Sequence, residues 1–160
     1  GLQLPRGVQQ AFSLIVTRES DRQHKELVGE EIRDLFYESY VNRMAPVKLV
    51  SYREEVLGEN EVRITASVQM DDREQILTAN GNGLLDAFTN ALQAALNRSF
   101  EITNYHEHAL TSGTQSKAIT YVQIKDHEGR PQIGAGISSS ISKSSLRAVV
   151  SAVNRMLLQA

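Results

Sequence analysis

The 160-residue chain is 41% hydrophobic and 22% charged, with 17 basic against 19 acidic residues and a formal net charge of −2. A chain of this length buries about 70% of its unfolded surface, enough for a packed core without covalent staples. No run approaches the roughly 18 apolar residues of a membrane helix, and the basic residues form no stripe that would track a phosphate backbone, so membrane and nucleic acid are not expected partners. The absence of cysteine rules out disulfides, zinc–thiolate sites and thiol catalysis and fits a cytoplasmic protein. The chain opens on Gly1 with neither a start Met nor a signal pattern, and reads as a piece of something longer.

Pro5 opens a helix over residues 5–20, with Val8, Phe12, Ile15 and Val16 on one face. The polar stretch Arg18 to Glu26 reads as a loop. Ile32, Leu35, Phe36 and Tyr40 give a second helix, with Glu30 and Glu31 near its positive end. Pro46 ends the helical character. From Val47 onward the chain holds the same unit twice. Arg73-Glu-Gln-Ile76 recurs as Arg130-Pro-Gln-Ile133 and Asn97-Arg98 as Asn154-Arg155, both 57 positions on, while Tyr52-Arg-Glu-Glu-Val56 aligns with Tyr105-His-Glu-His-Ala109 at 53.

Each unit begins with a strand, around Leu49–Val56 and again around Ile102–Leu110. A strand of alternating pattern follows, through Val62, Ile64, Ala66 and Val68, or Ala118, Thr120, Val122 and Ile124. A third strand covers Gln75–Ala79 or Gln132–Ile137. An amphipathic helix closes each unit, stepping through Leu85, Phe88, Leu92 and Leu96, or Leu146, Val150, Val153 and Leu157. Alternation means one buried face per sheet, covered by the helices. The fold class is α+β: two pseudo-repeated βββα units, 46–99 and 100–160, behind a short helical region, 1–45.

Few motifs carry chemistry. Asn80-Gly81-Asn82-Gly83 runs into the first unit's helix, where glycines allow close approach and free amides can hold a carboxylate. Spacing alone makes it a plain turn, and without Gly-Lys-Ser/Thr it is no P-loop. His106 and His108 flank Glu107 on a strand and offer two-thirds of a metal site, with no third ligand placed nearby and no second carboxylate for acid–base work. The serine run Ser138 to Ser145 lacks a nucleophile elbow and reads as a loop with a helix cap. Gly134-x-Gly136 lacks the third glycine of a dinucleotide fingerprint. No catalytic residues and no metal ligands emerge.

Taken in order, Gly81-Asn-Gly83, Asp86-Ala87, Asn90-Ala-Leu92, Tyr105-His-Glu-His-Ala-Leu110, Gly134-x-Gly-Ile137 and Ser145-Leu-Arg-Ala-Val-Val-Ser-Ala-Val-Asn-Arg155 form a set. Over roughly residues 47–158 it resembles the regulatory domain of α-isopropylmalate synthases and citramalate synthases. Leu4-Pro5 and Glu31-Ile-Arg-Asp-Leu-Phe36 are similar to the linker subdomain of the long-chain isopropylmalate synthases. The resemblance implies a linker subdomain at 1–45 and a regulatory domain at 46–160. It also implies a homodimer, leucine as feedback inhibitor bound between units, and a metal-dependent (β/α)₈ barrel elsewhere in the parent that joins acetyl-CoA to 2-oxoisovalerate. No cofactor is expected in this part.

By the same resemblance the effector-binding residues are Gly81, Asn82, Gly83, Asp86, Ile102, Tyr105, Ala109, Ser116 and Ile137. The amides at Gly81–Gly83 would take the leucine carboxylate and Asp86 or a carbonyl the ammonium. Ile102, Ala109 and Ile137 would form an apolar wall closed by Tyr105; burying the isobutyl group there contributes about 2 kcal/mol. Three other readings stay open: an isoleucine sensor of the citramalate synthase kind, a structural dimerisation domain without a ligand, and a metalloenzyme using His106, Glu107 and His108.

Overall fold

The computed structural model describes residues 2–110 and 116–159; Gly1 and Ala160, the outer limits of the two expected regions, lie outside them. Two helices lead, α1 (Arg6–Gln23) and α2 (Gly29–Tyr40). The first unit is β1 (Val47–Gly58), β2 (Glu61–Met70), β3 (Arg73–Gly81) and α3 (Leu84–Leu96). The second is β4 (Phe100–Ala109), β5 (Ala118–Asp126), β6 (Pro131–Ser138) and α4 (Ile141–Leu158). Each unit is a three-stranded antiparallel meander, ordered β1-β2-β3 and β4-β5-β6.

The duplication is written in the register as well as in the residues. Val47 pairs with Met70 and Phe100 with Asp126, and each first strand then carries a bulge, at Val50 and at Thr103. One unpaired residue at the same place in both units bends the two strands alike.

A single core joins the units. Ile64, Ala66 and Val68 of β2, Phe88 and Leu92 of α3, Val122 and Ile124 of β5, and Leu146, Val149 and Val153 of α4 belong to one buried cluster. The second sheet has another cluster on its other face. There Ile119 and Tyr121 of β5 and Ile133 and Ala135 of β6 meet Val8 and Phe12 of α1 and Phe36 and Tyr40 of α2. The rings of Phe12 and Phe36 meet edge to face, centroids 5.2 Å apart. The leading helices therefore use the second sheet as half of their own core.

Two local differences from the sequence reading have physical causes. Helix α1 continues to Gln23, through most of the polar stretch expected as a loop. Glu19 accepts from Arg22 and from Gln23, 2.6 Å to the latter, so those polar residues form a solvated helical face, and His24 ends the helix in the left-handed region at φ 52°. The Asn-Arg repeat has diverged in role. Asn97 ends α3 at φ 51°, whereas Asn154 is buried inside α4, which runs on to Leu158.

Candidate functional site

The end of β3 lies directly against the first turn of α3. A Cβ on Gly81 would stand 2.3 Å from the Ala87 amide nitrogen and 2.7 Å from Asp86 Oδ2, so only glycine permits this approach. Gly83 then occupies the N-cap in extended conformation, with Asp86 in the first turn. The Asn82 amide donates to Asp86 Oδ2 at 2.8 Å. One of the amides expected to receive a ligand carboxylate is thus held by the chain's own carboxylate. That local negative charge makes the junction a better seat for an ammonium group.

The second unit has the corresponding junction between β6 and α4, where Ser140 replaces the cap glycine and its hydroxyl accepts from the Lys143 amide at 3.3 Å. Tyr105, 37% exposed, reaches across from β4. Its hydroxyl lies 2.9 Å from Ser145 Oγ and donates to Glu107 Oε2 at 2.7 Å. Burial pushes the Tyr105 phenol up; the Ser145 hydroxyl opposes the rise and the Glu107 carboxylate adds to it. Ala109 and Ser116 line a cleft of about 300 Å³ beside this junction, together with Glu107, Ser139 and Ile141.

The nine expected residues therefore fall into separate places within one chain. Gly81, Asn82, Gly83 and Asp86 form the first junction, and Tyr105, Ala109 and Ser116 surround the second. Ile102 is half-buried against the shared core. Ile137 packs against the cluster under the leading helices, with its N–H donating to Asn42 Oδ1 at 2.9 Å. There it lines a cavity of about 760 Å³ with Leu4, Phe12, Ile32 and Phe36.

The histidine motif divides across the sheet. Glu107 bonds Tyr105 on one side, while His108 lies under the leader, Nε2 3.1 Å from the Tyr121 hydroxyl and Nδ1 3.0 Å from the Ala109 carbonyl. Among the described residues no three of His, Cys, Asp and Glu are grouped to hold a metal. The serines are structural: Ser144 bonds the Ile141 carbonyl and Thr120, at 2.8 Å each. Gly134 and Gly136 serve packing, since a Cβ on either would fall 2.1–2.2 Å from α4 backbone atoms.

Sequence reasoning missed the polar seam along α4. Ser151 donates to the Tyr40 carbonyl, and Arg155 donates to the Ser39 carbonyl at 2.7 Å while lying over the Tyr40 ring at 4.4 Å. Asn154 accepts from the Val47 amide and donates to the Val47 carbonyl, both at 2.8 Å, and to the Arg43 carbonyl at 2.9 Å. Burial holds the Arg155 guanidinium below its ordinary range. The available signal was a serine and an asparagine on the apolar face of α4. In this way α4 ties the end of the leader to the start of β1.

The profile of the LeuA allosteric (dimerisation) domain family matches residues 26–157. The chain is 38% identical over 156 residues to the 2-isopropylmalate synthase of Desulfitobacterium hafniense (strain Y51), covering 98% of this chain and 28% of that protein. It is 36% identical over 160 residues to the 2-isopropylmalate synthase of Acetoanaerobium sticklandii, covering 99% and 28%. Against that of Corynebacterium efficiens it is 41% identical over 159 residues, covering 98% and 27%. The chain spans little more than a quarter of these relatives. No helix among the described residues is long and apolar enough to cross a membrane.

Proposed function

From the premise that the chain belongs to the LeuA allosteric (dimerisation) domain family, we propose that it is the leucine-sensing, dimer-forming part of a cytoplasmic 2-isopropylmalate synthase. The catalytic barrel, with its divalent metal, lies outside this chain. Residues 1–45 act as the linker subdomain that carries the effector signal, and residues 46–160 as the regulatory domain.

The observation that carries this reading is the distribution of seven of the nine expected effector residues over corresponding junctions of the two units, with Ile102 and Ile137 apart from them. A site split in this way is completed when a second copy brings the first-unit junction of one chain to the second-unit junction of the other. The surface needed for pairing is available: Val56, 74% exposed, and Tyr105 leave apolar area on the first strands of both units. Asp86 would take the leucine ammonium and the remaining junction amides its carboxylate, with Ala109 and Tyr105 against the isobutyl group. Feedback then requires leucine to prefer the inhibited arrangement, and a coupling of about 1–3 kcal/mol to the barrel is the usual scale. The seam from α4 to Ser39, Tyr40 and Arg43 is the physical link along which that preference would reach the leader.

The test is isothermal titration of the dimeric protein with leucine, isoleucine and valine in parallel. Saturable binding that prefers leucine is the expected result. A preference for isoleucine would move the chain to the citramalate synthase kind of sensor, and no binding of any of the three would leave dimerisation as its role.

A further inference from the structure

A second feature flanks the start of α4, on the side of the leader's exit turn and β1. Between the turn leaving α2, the start of β1 and one face of α4 is a cavity of about 310 Å³. Arg43, Lys48, Lys143 and Arg147 all line it, and no carboxylate among the described residues does, in a chain whose acids outnumber its bases. The ion pairs among the described residues involve other cations, namely Arg22, Lys25, Arg130 and His127. The Arg43 and Arg147 side chains donate to the Glu38 and Ile137 carbonyls at 3.1 and 2.8 Å. Those bonds fix both guanidiniums at the rim without neutralising either charge, and leave further N–H donors on each.

The arrangement runs against helix electrostatics. Lys143 stands in the first turn of α4, where the helix dipole disfavours a cation, and Arg147 one turn further on repels it. The corresponding first-turn position of α3 carries Asp86, the electrostatically favoured choice. A bound anion would relieve both penalties at once.

We propose that this pocket binds a multiply charged phosphate group, such as the diphosphate of a nucleotide or coenzyme. Two guanidiniums provide forked donors and two ammonium groups point charges, a set suited to phosphate oxygens. A single carboxylate would leave most of the positive charge uncompensated. The volume lies at the small end of ligand pockets, enough for a diphosphate with the rest of a larger molecule outside. Because Arg43 belongs to the leader's exit turn and Lys143 and Arg147 to α4, the bound anion would also clamp leader to regulatory unit.

The probe is inorganic pyrophosphate, titrated against the whole chain by calorimetry at about 20 mM and about 200 mM salt, with malonate as the dicarboxylate comparison. Saturable binding is expected, weakened several-fold by salt, at least about tenfold tighter than malonate, and accompanied by a higher melting temperature. The double variant Lys48→Gln/Lys143→Gln should weaken binding by at least about tenfold while its ligand-free melting temperature does not fall, since the Lys143 charge is unfavourable at the start of α4. Arg147→Lys keeps the charge, loses the fork, and should weaken binding several-fold. No saturable binding at low salt, equal affinity for malonate, or undiminished binding in a folded double variant would each overturn the proposal. Failure here is distinguishable from failure of leucine sensing, because pyrophosphate binding is read without leucine and the two sites share no residue, although Arg147 bonds the Ile137 carbonyl.

Discussion

The two βββα units descend from one pattern and differ in what lies on their outer faces. In the first sheet β2 alternates apart from the buried Ser67, with Ile64, Ala66 and Val68 inaccessible, while the outward Ile76 of β3 is 66% exposed. In the second sheet β5 is buried almost continuously, because Ile119 and Tyr121 face the leader while Val122 and Ile124 face α4. The helices diverge to match. Helix α3 ends at Asn97 after 13 residues, whereas α4 runs for 18 and lends Ser151, Asn154 and Arg155 to the leader. The same supersecondary unit thus serves once as a one-sided sheet and once as the centre of a three-layer stack, and the difference comes from a handful of side chains.

That contrast can be broken most strongly at its apolar contact. Phe36→Ala should destabilise the protein by about 3–5 kcal/mol, whereas Ile76→Ala on the first unit's bare face should stay within about 0.5 kcal/mol. Denaturant unfolding measures both, and similar losses at the two positions would erase the distinction.

The asparagine pair sharpens it further. Asn154→Ala strands the Val47 amide and carbonyl and should cost about 1–3 kcal/mol. Asn97→Gly, at a left-handed helix end, should change stability by no more than a few tenths of a kcal/mol. Amide exchange should show the Asn154 variant opening first at the β1 start and the leader's end.

The mildest lever is pH. Burial pushes the Tyr121 phenol up to about 12, with Tyr37 adding to the rise, and burial also raises Tyr40 against the opposing Arg155. A free phenol ionises near 10, so above that pH the unfolded chain holds fewer protons than the folded one. Stability therefore falls as pH rises from about 10 to about 12, at the seam between leader and second sheet. Tyr121→Phe should flatten this part of the alkaline unfolding curve.

The sequence made much of this architecture legible. The alternation of β2, the apolar steps of α3 and α4 and the offset repeats are local patterns that periodicity reads directly. The two-sided burial of β5 was hidden, because Thr120 is buried on its inner face and Tyr121 and Ile119 on its outer face by separate partners far apart in the chain. The serines of α4 looked like a loop and cap, and only the fold shows Ser144 bonded to Thr120 and Ser145 to Tyr105. The effector residues came from resemblance alone: no spacing rule links Gly81 to Tyr105, and their contacts lie at different junctions. The cationic pocket was invisible for a related reason, since Arg43 and Lys48 are far in sequence from Lys143 and Arg147.

In the proposed reading, leucine is bound by both junctions together. Amide chemical shifts of the protein, followed during leucine titration, are the measurement that decides it. Saturating shifts are expected at Asn82 and Gly83 and, with the same midpoint, at Tyr105, Ala109 and Ser116. Shifts confined to one junction, or centred on the leader cavity around Ile32 and Ile137, would contradict it.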